Sequence, residues 1–316
     1  MKKRQAVYGA VLLLAYVVAS PAQTDPGLSI KPAGVTLSGE RLAPEKAPVD
    51  LSRPEMRQTE RLSTRLESEY ADAATRGEAW AQTKLGKIYV ATADEEVQRQ
   101  RGVELLRQAA EQDDADAIYF LATLSATGVG VKESSINAFE QMKRAAELGM
   151  AEAQNQLAAM YMEGHGTSAD KEAAIAWGRK AAQAGNTSAK YALAMALLEH
   201  STSYAEAIGW LESAASEGHR QAVFFLAGAT AQGDFGIAKD ELKAADMARP
   251  LAEGGDPEFQ FALATLFLRG EQFLDRRAEG VIWLREAAKS GHAQAQELLM
   301  KLESNASKQS DTRSMP

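Results

Sequence analysis

The residues of this chain best suited to chemistry are four histidines, one Gly-Val-Gly turn and 43 carboxylates, and none of them is spaced for it. His165 lies between Gly164 and Gly166, His200 follows Glu199, and His219 and His292 each follow a glycine. Two isolated imidazoles and two turn residues do not make a metal ligand set. There is no cysteine, so neither thiolate chemistry nor a disulfide framework is available. Gly128-Val129-Gly130 has the start of a phosphate loop but no third glycine and no Gly-Lys-Ser/Thr after it, and its flanks read as helices. Paired carboxylates could hydrolyse a glycoside if a buried cleft raised one pKa. Here the acids recur on polar faces instead. Asn186-Thr187-Ser188 and Asn305-Ala306-Ser307 match the glycosylation acceptor pattern, which matters only in a source with that machinery. The expectation is a chain with no catalytic residue, no cofactor and no metal.

What the sequence does instead is repeat. A leucine among small residues returns at Leu85, Leu121, Leu157, Leu193, Leu226, Leu263 and Leu299, in steps of 36, 36, 36, 33, 37 and 36. Alanine pairs follow at the same period, as Ala73-Ala74, Ala109-Ala110, Ala145-Ala146, Ala181-Ala182, Ala214-Ala215 and Ala287-Ala288. Three residues after the pairs come stops at Gly77, Gly149, Gly185, Gly218 and Gly291, with Asp113 as the one exception, and Gly255 stands in the same register. Aspartate enters the left-handed conformation of a helix stop less readily than glycine does, which predicts a strained or loosened junction there. Each repeat therefore reads as helix A around the leucine, a glycine-bearing turn, helix B ending in the alanines, and a stop. Periods of this size mean stacked helix pairs that bury their apolar faces against one another. The predicted class is all-α, a right-handed α-α superhelical solenoid.

The rest of the chain divides around that array. Lys2, Lys3 and Arg4, an apolar run of 14 residues from Ala6 to Ala19, and the small residues Ser20 and Ala22 read as a signal peptide over residues 1–22. The run is short of the roughly 20 residues that span a bilayer, so no membrane span is expected after cleavage and the chain is expected to be exported, periplasmic or secreted. Six of the nine prolines fall from Pro21 to Pro54, and residues 23–53 between them read as a disordered linker. Residues 54–303 read as the array, with a leading helix, six helix pairs and a trailing helix, and 304–316 as a disordered tail. The formal charge is −8, and without the three leader cations it becomes −11, which argues against nucleic acid as a partner.

Ala153, Leu157, Ala158, Tyr161, Gly164, Gly166, Trp177, Ala181, Ala182 and Gly185 carry a motif that resembles the SEL-like repeat family, a branch of the tetratricopeptide-like helical repeats. The resemblance covers residues 54–303. It departs where Leu105, Gln141 and Met247 replace the tryptophan and where Phe259 replaces a small residue. It implies a non-enzymatic scaffold or adaptor. Exported members are associated with exopolysaccharide secretion, envelope signalling and contact with host proteins. The expected partner is thus a protein of the envelope. The alternatives are polysaccharide machinery or the cell wall, where Trp177, Trp210 and Trp283 would stack sugars, and a host protein.

On a helical wheel, the positions one before and two after each marker leucine face away from the core. In a solenoid these columns line the concave side. Among them Lys84, Lys87, Phe120, Met195 and Phe225 are the candidate partner-binding residues. The two phenylalanines stand where other repeats place Lys, Gln, Ala or Leu, although such rings also commonly tuck against an adjoining helix.

Overall fold

The computed structural model describes residues 68, 70–92, 95–200 and 204–313. The expected signal peptide and linker, the start of the expected leading helix and the shortened turn at 201–203 lie outside them. After helical residues 70–75 come α1 (Ala79–Thr92), α2 (Glu96–Glu111), α3 (Ala115–Thr127), α4 (Ser135–Glu147), α5 (Ala151–Glu163), α6 (Lys171–Gln183) and α7 (Thr187–His200). Then follow α8 (Ala205–Ser216), α9 (Arg220–Gln232), α10 (Glu241–Glu253), α11 (Pro257–Arg269), a 3-10 turn (Glu271–Phe273), α12 (Arg277–Lys289) and α13 (Ala293–Arg313). The described residues contain no strand. The fold is all-α, and helices adjacent in sequence pack in series. Chain contacts define two compact units, residues 1–174 and 175–316.

Odd-numbered helices are helix A of each repeat and even-numbered ones helix B. Their seam is the predicted one. Leu85, Leu121, Leu157, Leu193, Leu226 and Leu263 are all buried, and Leu299 in α13 is half-buried. Burying one such side chain favours folding by about 1.5–3 kcal/mol. The alanines are buried too, Ala109, Ala145, Ala181, Ala214 and Ala287 completely, because a methyl group lets two helix backbones approach closely. In the first pair the approach is closer still: a Cβ built on Gly86 of α1 would stand 2.9 Å from the Gly102 carbonyl of α2. Where Phe259 replaces a small residue the core changes material. Phe259, Phe267 and Phe273 are all completely buried, with Phe267 and Phe273 edge to face at 4.6 Å.

The stops behave as read. Asp113 takes the left-handed conformation at φ 59°, and this junction is tied rather than loose. Arg144 of α4 donates to its carboxylate at 2.5 Å and to the Ala110 carbonyl at 2.8 Å. At five of the junctions the side chain of the residue after the stop caps the next helix, whereas Met150 after Gly149 makes no such bond. Asp114, Asn186 and Asp256 accept from backbone N–H groups at 2.8, 2.8 and 3.0 Å, and His219 and His292 do the same through Nδ1 at 3.3 and 3.2 Å. These histidines are junction residues, as their position implied. Asn186 of the glycosylation pattern likewise uses its side-chain oxygen as a cap.

One difference stands at the end of the array. α13 continues to Arg313, past Ser304 where the apolar pattern stops and a disordered tail was expected. No glycine or proline lies between Ser304 and Arg313, so nothing in the backbone chemistry terminates the helix earlier.

The cap at His219 has a pH consequence. Its Nδ1 must be unprotonated to accept the Ala222 N–H, its ring stacks on Tyr191 at 4.7 Å, and Arg220 is its sequence neighbour. Burial pushes its pKa below the ordinary value. A histidine held neutral in the fold stabilises at pH above its unfolded pKa of about 6.5 and loses that contribution as pH falls through the folded value. A protonated ring would also place positive charge at the positive end of the helix dipole. The denaturation midpoint should therefore fall as pH is lowered from 7 to 5. His219→Asn, which caps as Asn186 does, should flatten part of that fall. An unchanged slope in the variant would show that the cap does not titrate.

Candidate functional site

The helix-A columns one before and two after the marker leucine face outward, and none of their residues is buried. Because helix A turns 100° per residue, the position two before the leucine lies 160° from it, as far as the position two after. There stand Tyr119, Tyr191, Phe224 and Phe261, an aromatic column that the sequence reading passed over. Its signal was present in the recurrence of a ring two residues before the marker.

In the first unit the face is built around α1 and α3. Lys84 is exposed and Lys87 half-buried. The Lys87 ammonium donates to both oxygens of Asp116 at 2.5 and 2.6 Å and lies 5.4 Å from the centre of the Phe120 ring. Phe120 is half-buried, one face toward the lysine. Tyr119 beside it has its pKa raised, first by burial and then by the carboxylates of Glu152 and Asp116. The patch thus combines two aromatic rings with two cations and two acids, a composition suited to a peptide or helix with both apolar and charged groups.

In the second unit the face is more fully used by the fold itself. Phe225 packs on the core cluster around Leu193, Leu211 and Leu226, and its ring lies 5.2 Å from that of Phe235, which meets Tyr204 edge to face. Only part of Phe225 is left to solvent. Met195 packs on the same cluster. Phe224 is 38% exposed and makes an edge contact with Phe259. Tyr191 and Phe261 stack on His219 and His292. The sequence reading missed Phe224 because it weighed only its neighbour Phe225.

The residues weighed for chemistry are dispersed. His165 is exposed and sits 3.0 Å from Glu163, and no group of three or more His, Cys, Asp or Glu able to hold a metal occurs among the described residues. Gly128 ends α3 at φ 72°, so the Gly-Val-Gly turn serves as a helix stop. The three tryptophans considered for sugar stacking have other contacts. Trp210 and Trp283 pack on core clusters, and Trp177 has the Lys180 ammonium 3.7 Å over its ring. Of the described helices, none is long and apolar enough to cross a membrane.

Recurrent polar contacts also join the repeats. The Nε2 of Gln154, Gln260 and Gln296 donates to the carbonyl of Ala146, Ala252 and Ala288 at 3.2, 3.2 and 3.0 Å, each completing the end of the preceding helix B. Lys190 takes the equivalent place in α7 and is ion-paired with Glu217. Arg220 likewise bridges to Asp256, one repeat on.

The Sel1 repeat family model matches residues 81–114, 115–150, 151–186, 187–219, 220–256 and 257–292, in phase with the helix pairs. Among solved structures the chain is similar to c5321, a protective antigen present in uropathogenic Escherichia coli strains displaying an SLR fold. Identity is 28%, with a TM-score of 0.68 over 74% of this chain and 50% of that one. It is also similar to a Sel1 repeat protein from Oxalobacter formigenes, at 28% identity and a TM-score of 0.61, over 73% of this chain and 68% of that one. The match thus spans half the length of c5321 and about two thirds of the second protein. No curated protein matches the chain.

Proposed function

The chain belongs to the Sel1 repeat family, and on that premise we propose that it is an exported, non-catalytic adaptor that holds a protein of the cell envelope against the outward face of helix A. One observation carries this reading. The marker leucines from Leu85 to Leu263 are buried, while the columns beside them stay accessible throughout. Lys84, Lys87 and Phe120 form the contact patch of the first unit, joined by Tyr119. Met195 and Phe225 contribute in the second, joined by Phe224. Rings left partly open among charged neighbours are where binding energy concentrates in protein interfaces. Export is supported by the basic start, the apolar run and the small residues before Gln23, so amino-terminal sequencing of the exported protein should begin at Gln23.

The test is photo-crosslinking in intact cells, with p-benzoylphenylalanine replacing Ala159 or Ala192, both exposed on helix A, or Glu140 on helix B as the control. A discrete adduct is expected from the helix-A positions, identified by mass spectrometry as an envelope protein. Phe120→Ala should weaken the adduct from Ala159, in the same unit, with the helical signal preserved. Adducts from Glu140 alone, or an Ala159 adduct indifferent to Phe120→Ala, would remove the helix-A face from consideration.

A further inference from the structure

The first unit has a hollow of about 720 Å³ at its loop edge, apart from the outward face of helix A. It lies between the end of α1, the outer side of α2 and the turn from Gly128 to Lys132. Its frame is fixed. Gln100 donates to the Gly130 carbonyl at 2.8 Å, and a Cβ built on Gly130 would already stand 3.1 Å from the Arg99 and Val103 side chains. The apolar part of its lining is Val90, Val129 and Val131, with Val129 42% exposed.

The charge of the lining runs against that of the chain, which carries 43 acidic and 35 basic residues. Arg99, Arg107 and Lys132 face one acid, Glu96. That carboxylate already accepts from Gln100 at 2.7 Å and from Arg99 at 2.5 Å. Among the described residues Arg107 pairs with Glu104 at 3.8 Å, and it is 56% exposed. Lys132 is exposed. Among the described residues, two cations thus stand beside an apolar surface with one long ion pair, Arg107 to Glu104, between them.

We propose that this hollow docks an acidic peptide segment of a protein partner, with carboxylates on Arg107 and Lys132 and an aliphatic side chain over Val129. An inorganic anion would leave the valines uncovered and most of the volume unfilled, and a polyanion such as nucleic acid meets a chain of net negative charge. The assignment does not rest on the helix-A reading and concerns a different edge of the molecule.

The test uses the full chain and a fluorescein-labelled heptapeptide alternating glutamate with leucine and valine, followed by fluorescence anisotropy. Saturable binding is expected, weakening with added salt. Arg107→Glu with Lys132→Glu should weaken it roughly tenfold, the scale of two partly exposed charge contacts, while Arg285→Glu, an exposed reversal in the other unit, should leave it unchanged. Val129→Ser should weaken it as well, and all variants should keep the native circular dichroism. Four results would overturn the proposal: no saturable binding, equal binding by the double variant, equal binding by a peptide with glutamine in place of glutamate, or full displacement by inorganic phosphate. None of them bears on crosslinking from Ala159 or Ala192, so the two readings fail separately.

Discussion

Leu157→Ala is expected to lower the unfolding free energy by about 2–5 kcal/mol, the range for truncating a fully buried leucine. Leu157 has no exposed surface, and Ala153, one turn earlier on α5, has none either. The neighbouring alanine has no side chain long enough to swing into the space. In a repeat array each pair is stabilised by its neighbours, so the loss should spread beyond α5. Urea denaturation followed by circular dichroism measures it. The control is Ala159→Ser, two residues on and exposed, where a change within about 0.5 kcal/mol is expected. A small loss at Leu157 together with a large one at Ala159 would mean that the helix faces the other way.

Gly166→Ala should be about as damaging for a different reason. The turn that leaves α5 runs against the start of α4, and a Cβ on Gly166 would come within 2.1 Å of the Ser135 carbonyl oxygen and 2.9 Å of the Phe139 Cβ. Both obstacles are backbone or close to it, so no side-chain rotation relieves them. The residue is also at φ 72°, a region that costs an ordinary residue roughly 1–2 kcal/mol. With overpacking of about 1–3 kcal/mol, the total is on the order of 2–5 kcal/mol. Gly185→Ala separates the contributions, because Gly185 has φ 91° and nothing within 4 Å of its built Cβ. It should show the conformational cost alone. Equal losses at the two glycines would show that the contact with Ser135 carries no weight.

The parts of this molecule that could be read from sequence are those set by local rules. A leucine every 36 residues fixes which side of helix A is buried, and a glycine three residues after two alanines fixes where helix B ends. The first holds from Leu85 to Leu263, and the second everywhere but at Asp113, which replaces the glycine, and Gly255, which follows no alanine pair. The His219 and His292 junctions followed from the same register. What escaped was set by partners on other helices and turns. Lys87 meets Asp116, 29 residues on, and nothing in either residue alone indicates that the lysine is drawn over Phe120 rather than left free. Phe225 illustrates the same point: its coverage depends on Phe235, a turn residue at φ 54° whose ring is brought back onto helix A. The Gln154, Gln260 and Gln296 amides and the column from Tyr119 to Phe261 have a visible period but little meaning until the stacking shows what each one faces. The hollow beside Arg107 required the turn to be placed against α2, which no local pattern specifies.

The absence of cysteine makes thiol accessibility the most direct test of the seam and its open face. Single cysteines placed at Leu121, Leu157 and Leu193, and at Thr123, Ala159 and Ala192, can each be titrated with a maleimide under native conditions. The account predicts prompt labelling at the second set and labelling of the first only as the protein unfolds. Prompt reaction at the leucine positions, or protection at the three outward ones in the isolated chain, would contradict it.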